Sequence, residues 1–106
     1  MCIRDRLPTG VDNEGNQRTA VCCLSSLNLD TYDQWKDDPQ FVEDVMRFLD
    51  NVMTDFINRA PDEFAHAKYS AMRERSVGLG VMGLHSYFQQ KNIPFGSVMS
   101  LSLIHI

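Results

Sequence analysis

Between Pro39 and Arg59 the apolar residues Val42, Val45, Met46, Leu49, Val52, Met53 and Phe56 recur every three or four positions, with charged and polar residues between them. That period marks an amphipathic helix with one buried stripe. Asp38 suits the N-cap and Pro39 the first helical position, where a missing amide costs nothing. Ala60-Pro61 ends the run, because proline lacks the amide and disfavours helix in the residue before it. A shorter helix is predicted from about Asp62 to Met72, with Phe64, Ala67, Ala71 and Met72 turned inward. Upstream, Thr19 to Leu24 is apolar at nearly every position, which predicts a short strand covered on both faces, as in a parallel sheet flanked by helices. Ser76 to Met82 predicts a second buried strand; its Gly78 and Gly80 alternate with Val77, Leu79 and Val81 and mark close approach of another backbone. Thr31 and Gln34 stand at capping-box spacing, so Tyr32 to Lys36 is predicted as a helical turn that tucks Trp35 inward. Gly83 to Lys91 forms a last helix, ended by Asn92-Ile93-Pro94, while Leu7 to Gly10 and Asp12 to Asn16 carry the residues of loops.

Strand, helices, strand and helix in that order predict an α/β architecture with parallel strands. Side chains alternate across a strand, so Cys22 shares a face with Ala20 and Leu24, and Cys23 points the other way. A chain of 106 residues supports at most one domain. Its net charge of -4 is spread among interspersed acids and bases, with no basic run to track a phosphate backbone, so nucleic acid is not an expected partner. No apolar stretch approaches the roughly 20 residues that span a bilayer, and a cytosolic parent is expected.

The two ends stand apart from this pattern. Met1 to Arg6 (MCIRDR) and Leu101 to Ile106 (LSLIHI) can be encoded by strings that are reverse complements of one another. An inverted repeat around a reading frame has no folding rationale and resembles a sequencing-library adapter. Residues 1–6 and 101–106 are therefore expected to be adapter translation, and residues 7–100 to be the informative domain. Cys2 is set aside with them.

Three constellations offer chemistry. Gly78-Leu79-Gly80-Val81-Met82-Gly83 matches GxGxxG between strand and helix, but the acidic residue that a dinucleotide fingerprint wants about 20 positions on is missing, since no Asp or Glu follows Glu74. A small nucleotide-binding module using this loop stays a weaker alternative to tight strand-helix packing. Cys22 and Cys23 are too few for a disulfide framework, leaving redox chemistry or plain burial. His66 and His85 lie 19 positions apart with no second cysteine pair to complete a zinc tetrad, so no metal site is expected. Lys68, Arg73, Glu74 and Arg75 read as a solvated face and receive no role. A noncatalytic helical interaction domain built on the 39–59 helix is the other alternative.

Thr19-Ala20-Val21-Cys22-Cys23-Leu24-Ser25-Ser26-Leu27-Asn28-Leu29 resembles the stretch of the class I ribonucleotide reductase large subunit that holds one cysteine of its active-site redox pair. Arg75-Ser76-Val77-Gly78-Leu79-Gly80-Val81-Met82-Gly83-Leu84 resembles the glycine-rich strand later in the same barrel. The helices between have the matching order, so the likeness covers essentially all of residues 7–95. The resemblance implies a fragment of a ten-stranded α/β barrel whose parent reduces ribonucleoside diphosphates to deoxyribonucleotides. A cysteine thiyl radical there removes the ribose 3′ hydrogen, and two further cysteines close to a disulfide as reductant. Cys22 aligns with one of those two, its partner lying on an earlier strand. Cys23 falls where such enzymes vary and takes no role. Cys2 sits near the register of the radical cysteine, but Arg4 stands where the family has a carboxylate, so that role is not carried over. The resemblance further implies a radical-generating small subunit with a metal-radical cofactor, thioredoxin or glutaredoxin as external reductant, ATP and dNTP effectors, and a homodimeric parent; no cofactor is placed on this chain itself. The isolated fragment is expected to be inactive.

Overall fold

The computed structural model describes residues 9–104; Met1 to Pro8, which include the hexapeptide expected to be adapter translation and the start of the loop expected from Leu7, and His105-Ile106 lie outside the described residues. Strand β1 (Gly10–Val11) pairs antiparallel with β2 (Gln17–Arg18), and β3 (Cys23–Asn28) leads through a 3-10 turn to α1 (Tyr32–Trp35). Helices α2 (Phe41–Arg59) and α3 (Ala65–Glu74) carry the chain back to β4 (Val77–Met82), followed by α4 (Leu84–Gln90) and α5 (Val98–Ile104). β3 and β4 pair in parallel, from Cys23 opposite Val77 to Asn28 opposite Met82. A parallel pair needs a long crossover, and the three intervening helices supply it.

The strand expected at Thr19 to Leu24 instead begins at Cys23 and runs on to Asn28. A strand requires a partner, and β4 cannot reach further upstream. Arg75 ends α3 in the left-handed conformation (φ 44°), and the ladder opens with the Cys23 amide donating to the Ser76 carbonyl. Thr19 to Cys22 therefore has no neighbouring strand among the described residues. Nor is β3 covered on both faces: Cys23, Ser25 and Leu27 are half-buried, whereas Leu24, Ser26 and Asn28 are exposed.

The long helix forms as its periodicity predicts, but starts at Phe41. Gln40 rather than Asp38 is the N-cap, and Pro39 lies outside the helix: the Asp38 carboxylate accepts from the Gln40 amide at 2.9 Å in a turn that precedes the helix proper. Leu49 and Met53 are buried, Val45 and Phe56 half-buried, and Val42, Met46 and Val52 remain exposed, so the stripe is wider than the surface it meets. After Pro61 a 3-10 turn over Asp62–Phe64 precedes α3. Its buried residues are Ala67, Ser70 and Ala71, while Phe64 and Met72, expected inside, are exposed. The inner face consists of small residues, which lets α3 lie close to α2 and β2. Ser70 is satisfied there by accepting from the Thr19 amide.

No capping box forms at Thr31. The Asn28 side chain caps the turn by accepting from the Asp30 amide, and the Thr31 hydroxyl donates to the Asn28 carbonyl while accepting from the Trp35 indole. Trp35 is half-buried, edge-on to Tyr32 and tilted against Phe41. Two elements escaped the sequence reading. The segment read as a loop folds into the β1-β2 hairpin, where the Asp12 carboxylate accepts from the Glu14 and Asn16 amides and from the Tyr69 hydroxyl. Helix α5 continues across the Ser100-Leu101 junction.

Two polar clamps fix the helices. Arg75 donates to the Asp50 carboxylate, the Asp50 carbonyl and the Thr54 hydroxyl, tying the α3 terminus to α2. Asp33 on α1 accepts from Lys91, Lys36 and Tyr87, joining α1 to α4. The Lys91 bond, then that of Lys36, holds the Asp33 carboxyl below its ordinary value of 3.8. Truncating Arg75 to Ala is expected to lower unfolding stability by about 1 kcal/mol, the upper range for an exposed ion pair, as read by urea titration. The Asp33 contribution is complete above pH 3.8 and disappears as pH falls through the lower folded value, because a depressed carboxylate stabilises only while ionised. Acid titrations of the wild type and Asp33→Asn should therefore converge below that window and diverge above it.

Candidate active site on the open face of the sheet

In a parallel pair, residues in register point to the same side, so the face away from α2 carries Leu24, Ser26 and Asn28 from β3 and Gly78, Gly80 and Met82 from β4. This face is open: Leu24 is 76% exposed and Met82 64%. Cys22 precedes the ladder by one residue and continues the same parity. A Cβ placed on Gly78 would lie 3.9 Å from the Cys22 sulfur and 2.7 Å from Leu24 Cδ2, which puts the Cys22 thiol and the Leu24 side chain together on the open face. The expected sharing of a face by Cys22 and Leu24 is met, and Cys23 turns toward the helices.

Cys22 and Cys23 are both free and half-buried, and the Cys22 thiol donates weakly to the Cys23 carbonyl at 3.7 Å. Both residues border a groove of about 460 Å³ walled by Ala20, Val21, Val52, Met53 and Phe56. That groove lies between the incoming chain and α2, behind the sheet. Cys22 is therefore flanked by apolar surface on one side and by the glycine of β4 on the other.

The glycine motif is absorbed by packing. At Gly78 and Gly80 the close neighbours are β3 side chains, Leu24 Cδ2 and, at 3.4 Å, Ser26 Oγ, rather than the backbone that the spacing suggested. Gly83 differs: its φ of +76° is left-handed, and a Cβ there would meet Asn28 Oδ1 at 2.9 Å and the Asp30 amide nitrogen at 3.2 Å. It lets β4 turn into α4 against the capped end of β3. The charged cluster disperses into structural pairs: Arg75 with Asp50, Glu74 with the buried Arg18, and Arg73 with Glu14 at 3.9 Å. His66 and His85 are both exposed, on different helices. Sequence reasoning singled out Cys22 but missed the Gly78 contact beside it. Only the register, Leu24 opposite Gly78, reveals that neighbour.

The family model described as "ribonucleotide reductase, barrel domain" matches residues 10–106. The chain is 60% identical over 96 residues to the ribonucleoside-diphosphate reductase large subunit of Invertebrate iridescent virus 6, which covers 91% of this chain and 10% of that protein. It is 44% identical over 109 aligned positions to a putative large subunit of Frog virus 3, covering 100% of this chain and 18% of the relative. Among solved structures, the Actinobacillus ureae class Id ribonucleotide reductase alpha subunit superposes with a TM-score of 0.71 at 42% identity, over 80% of this chain and 16% of that one. The chain thus spans less than a fifth of the length of these relatives.

Gly83→Ala is expected to lower unfolding stability by about 1–3 kcal/mol, combining a left-handed backbone with the clash at Asn28. Gly80→Ala, with an ordinary backbone and no comparable clash, is expected to change it by less than about 1 kcal/mol. Denaturant midpoints of the two variants check the difference.

Proposed function

The chain belongs to the ribonucleotide reductase barrel-domain family, and from that membership we propose that its parent converts ribonucleoside diphosphates to deoxyribonucleotides, with Cys22 as one thiol of the reducing pair. The observation that carries the assignment is the position of the Cys22 sulfur beside Gly78, at the edge of the open face of β3 and β4, with the α2 groove on its other side. In a closed α/β barrel the helices lie outside, so the helix-free face is the lumen. A reducing thiol has to reach both substrate and partner sulfur, and only lumen-facing positions of the strand do so.

A radical cysteine elsewhere in the parent takes the ribose 3′ hydrogen and later returns it. The 2′ hydroxyl leaves as water. Cys22 and its partner thiol supply two electrons and two protons and end joined by one S–S bond, which an external dithiol such as thioredoxin or glutaredoxin then reduces. A metal-radical cofactor on the small subunit would supply the radical, and ATP and dNTP effectors would act on parts of the parent beyond these residues; no residue here is assigned to them. Among the described residues no helix is long and apolar enough to cross a membrane, and a homodimeric cytoplasmic enzyme is the reading that accompanies the assignment. The contribution of this segment is geometric: β3 presents Cys22 to the lumen, α2 and α3 hold the crossover, and the β1-β2 hairpin is pinned to α3 through Arg18-Glu74 and Tyr69.

In the full-length reductase, Cys22→Ser should reduce thioredoxin-coupled turnover by at least roughly a hundredfold while leaving thermal stability near the wild type, because serine preserves size and removes only the redox step. Cys23→Ser should retain turnover. Deoxynucleotide formation under multiple-turnover conditions reads both.

A further inference from the structure

We propose that Gly78 is a positioning residue for Cys22: its absent side chain keeps empty the space beside the Cys22 sulfur that the second thiol of the pair must use. This inference rests on the assignment of Cys22 as a redox thiol made above.

Glycine in the interior of a strand weakens it, because the freed backbone loses more entropy on folding and nothing packs on the pleat. Some requirement must offset that cost. At Gly10, Gly15 and Gly83 the requirement is conformational, since all three have positive φ. Gly78 is absent from that group and sits in regular parallel pairing with Leu24, so its backbone would accept any residue. What a side chain here would change is the space around its two neighbours. A Cβ at this position would stand 2.7 Å from Leu24 Cδ2, inside van der Waals contact, and 3.9 Å from the Cys22 sulfur, already touching it. Gly80, two residues on, would meet only Ser26 Oγ at 3.4 Å and the Ser25 carbonyl at 3.9 Å. The sulfur is thus specific to the surroundings of Gly78.

A disulfide makes strict demands on that space. Its S–S bond is about 2.05 Å long, its dihedral lies near a right angle, and the two Cβ atoms must come within about 3.5–4.5 Å of each other. The incoming thiol therefore needs free volume around the Cys22 sulfur on the lumen face. A methyl group at position 78 would fill part of it directly. It would also drive Leu24 off its present place, and the displaced isobutyl group would swing along the strand beside Cys22 or over Ser26. Leu24 forms one wall of the notch, Gly78 its floor, and the Cys22 sulfur its occupant.

The test is made in the full-length reductase with its small subunit, comparing Gly78→Ala, Gly80→Ala and Cys22→Ser. For Gly78→Ala we expect kcat to fall roughly tenfold, as for a misplaced reacting group, with KM held within about twofold. Reaction of Cys22 with a small aromatic disulfide, followed by mass spectrometry of its peptide, should slow in parallel, with the melting temperature unchanged. Gly80→Ala should leave both rates at wild-type values. Wild-type kcat and exchange rate in Gly78→Ala, alongside an inactive Cys22→Ser, would overturn the positioning role while leaving the redox assignment intact. Full turnover in Cys22→Ser would instead remove the redox assignment itself. Should Gly78→Ala not fold, the double variant Leu24→Ala/Gly78→Ala relieves the 2.7 Å contact and keeps the methyl beside the sulfur. Slowed exchange relative to Leu24→Ala supports the role, and equal exchange overturns it.

Discussion

Everything that positions chemistry in this chain depends on the parallel register between β3 and β4, six residue pairs from Cys23 opposite Val77 to Asn28 opposite Met82. Because side chains alternate strictly along a strand, a slip of one residue would exchange the two faces of either strand. The start of the register is set by Arg75, whose left-handed backbone ends α3 and whose guanidinium grips Asp50 and Thr54 on α2. Its end is set by Gly83 turning against Asn28 and Asp30. Cys22, just upstream of the first pair, inherits its orientation from a ladder it does not itself join.

The two faces created by this register are unequal. One meets α2 and holds Cys23, Ser25 and Leu27 half-buried; the other leaves Leu24 and Met82 in the open. Parallel sheets are normally covered on both sides, and two strands are too few to close any barrel. The buried apolar residues among those described are Leu49, Met53, Ala67, Ala71, Tyr87 and Phe88, a small core for a chain whose Cα radius of gyration is 18.2 Å, against about 13 Å for a compact domain of this length. These features fit a segment that spans less than a fifth of its relatives and belongs to a barrel-domain family.

Much of the fold was legible because the signals are local. The stripe from Val42 to Phe56, the stop at Pro61 and the strand around Gly78 depend on neighbours three or four residues away, and each element formed within a few residues of its expected place. Parallel pairing followed from the order of elements. What could not be read is what depends on distant partners. The bounds of β3 are decided by where β4 begins, 54 positions on in the pairing of Cys23 with Val77. Ser70 replaced Met72 as an inner residue because α3 packs close to β2 and bonds Thr19. The capping box at Thr31 lost to the Asn28 side chain, a competing acceptor already oriented by the end of β3. At the site, the orientation of Cys22 relative to Leu24 was available from alternation alone, whereas the role of Gly78 as its neighbour required the register.

When the parent enzyme spends its reducing equivalents, the Cys22 sulfur must pass into a bond with the second thiol of the pair. The direct measurement is disulfide mapping of the full-length reductase after turnover with ribonucleoside diphosphate in the absence of external reductant. A peptide containing Cys22 joined to a cysteine outside residues 1–106 is the predicted product, since the open face of β3 offers its sulfur to a partner strand. Cys22 recovered as a free thiol after product has formed, or joined to Cys23, would contradict the lumen-facing assignment on which the functional reading is built.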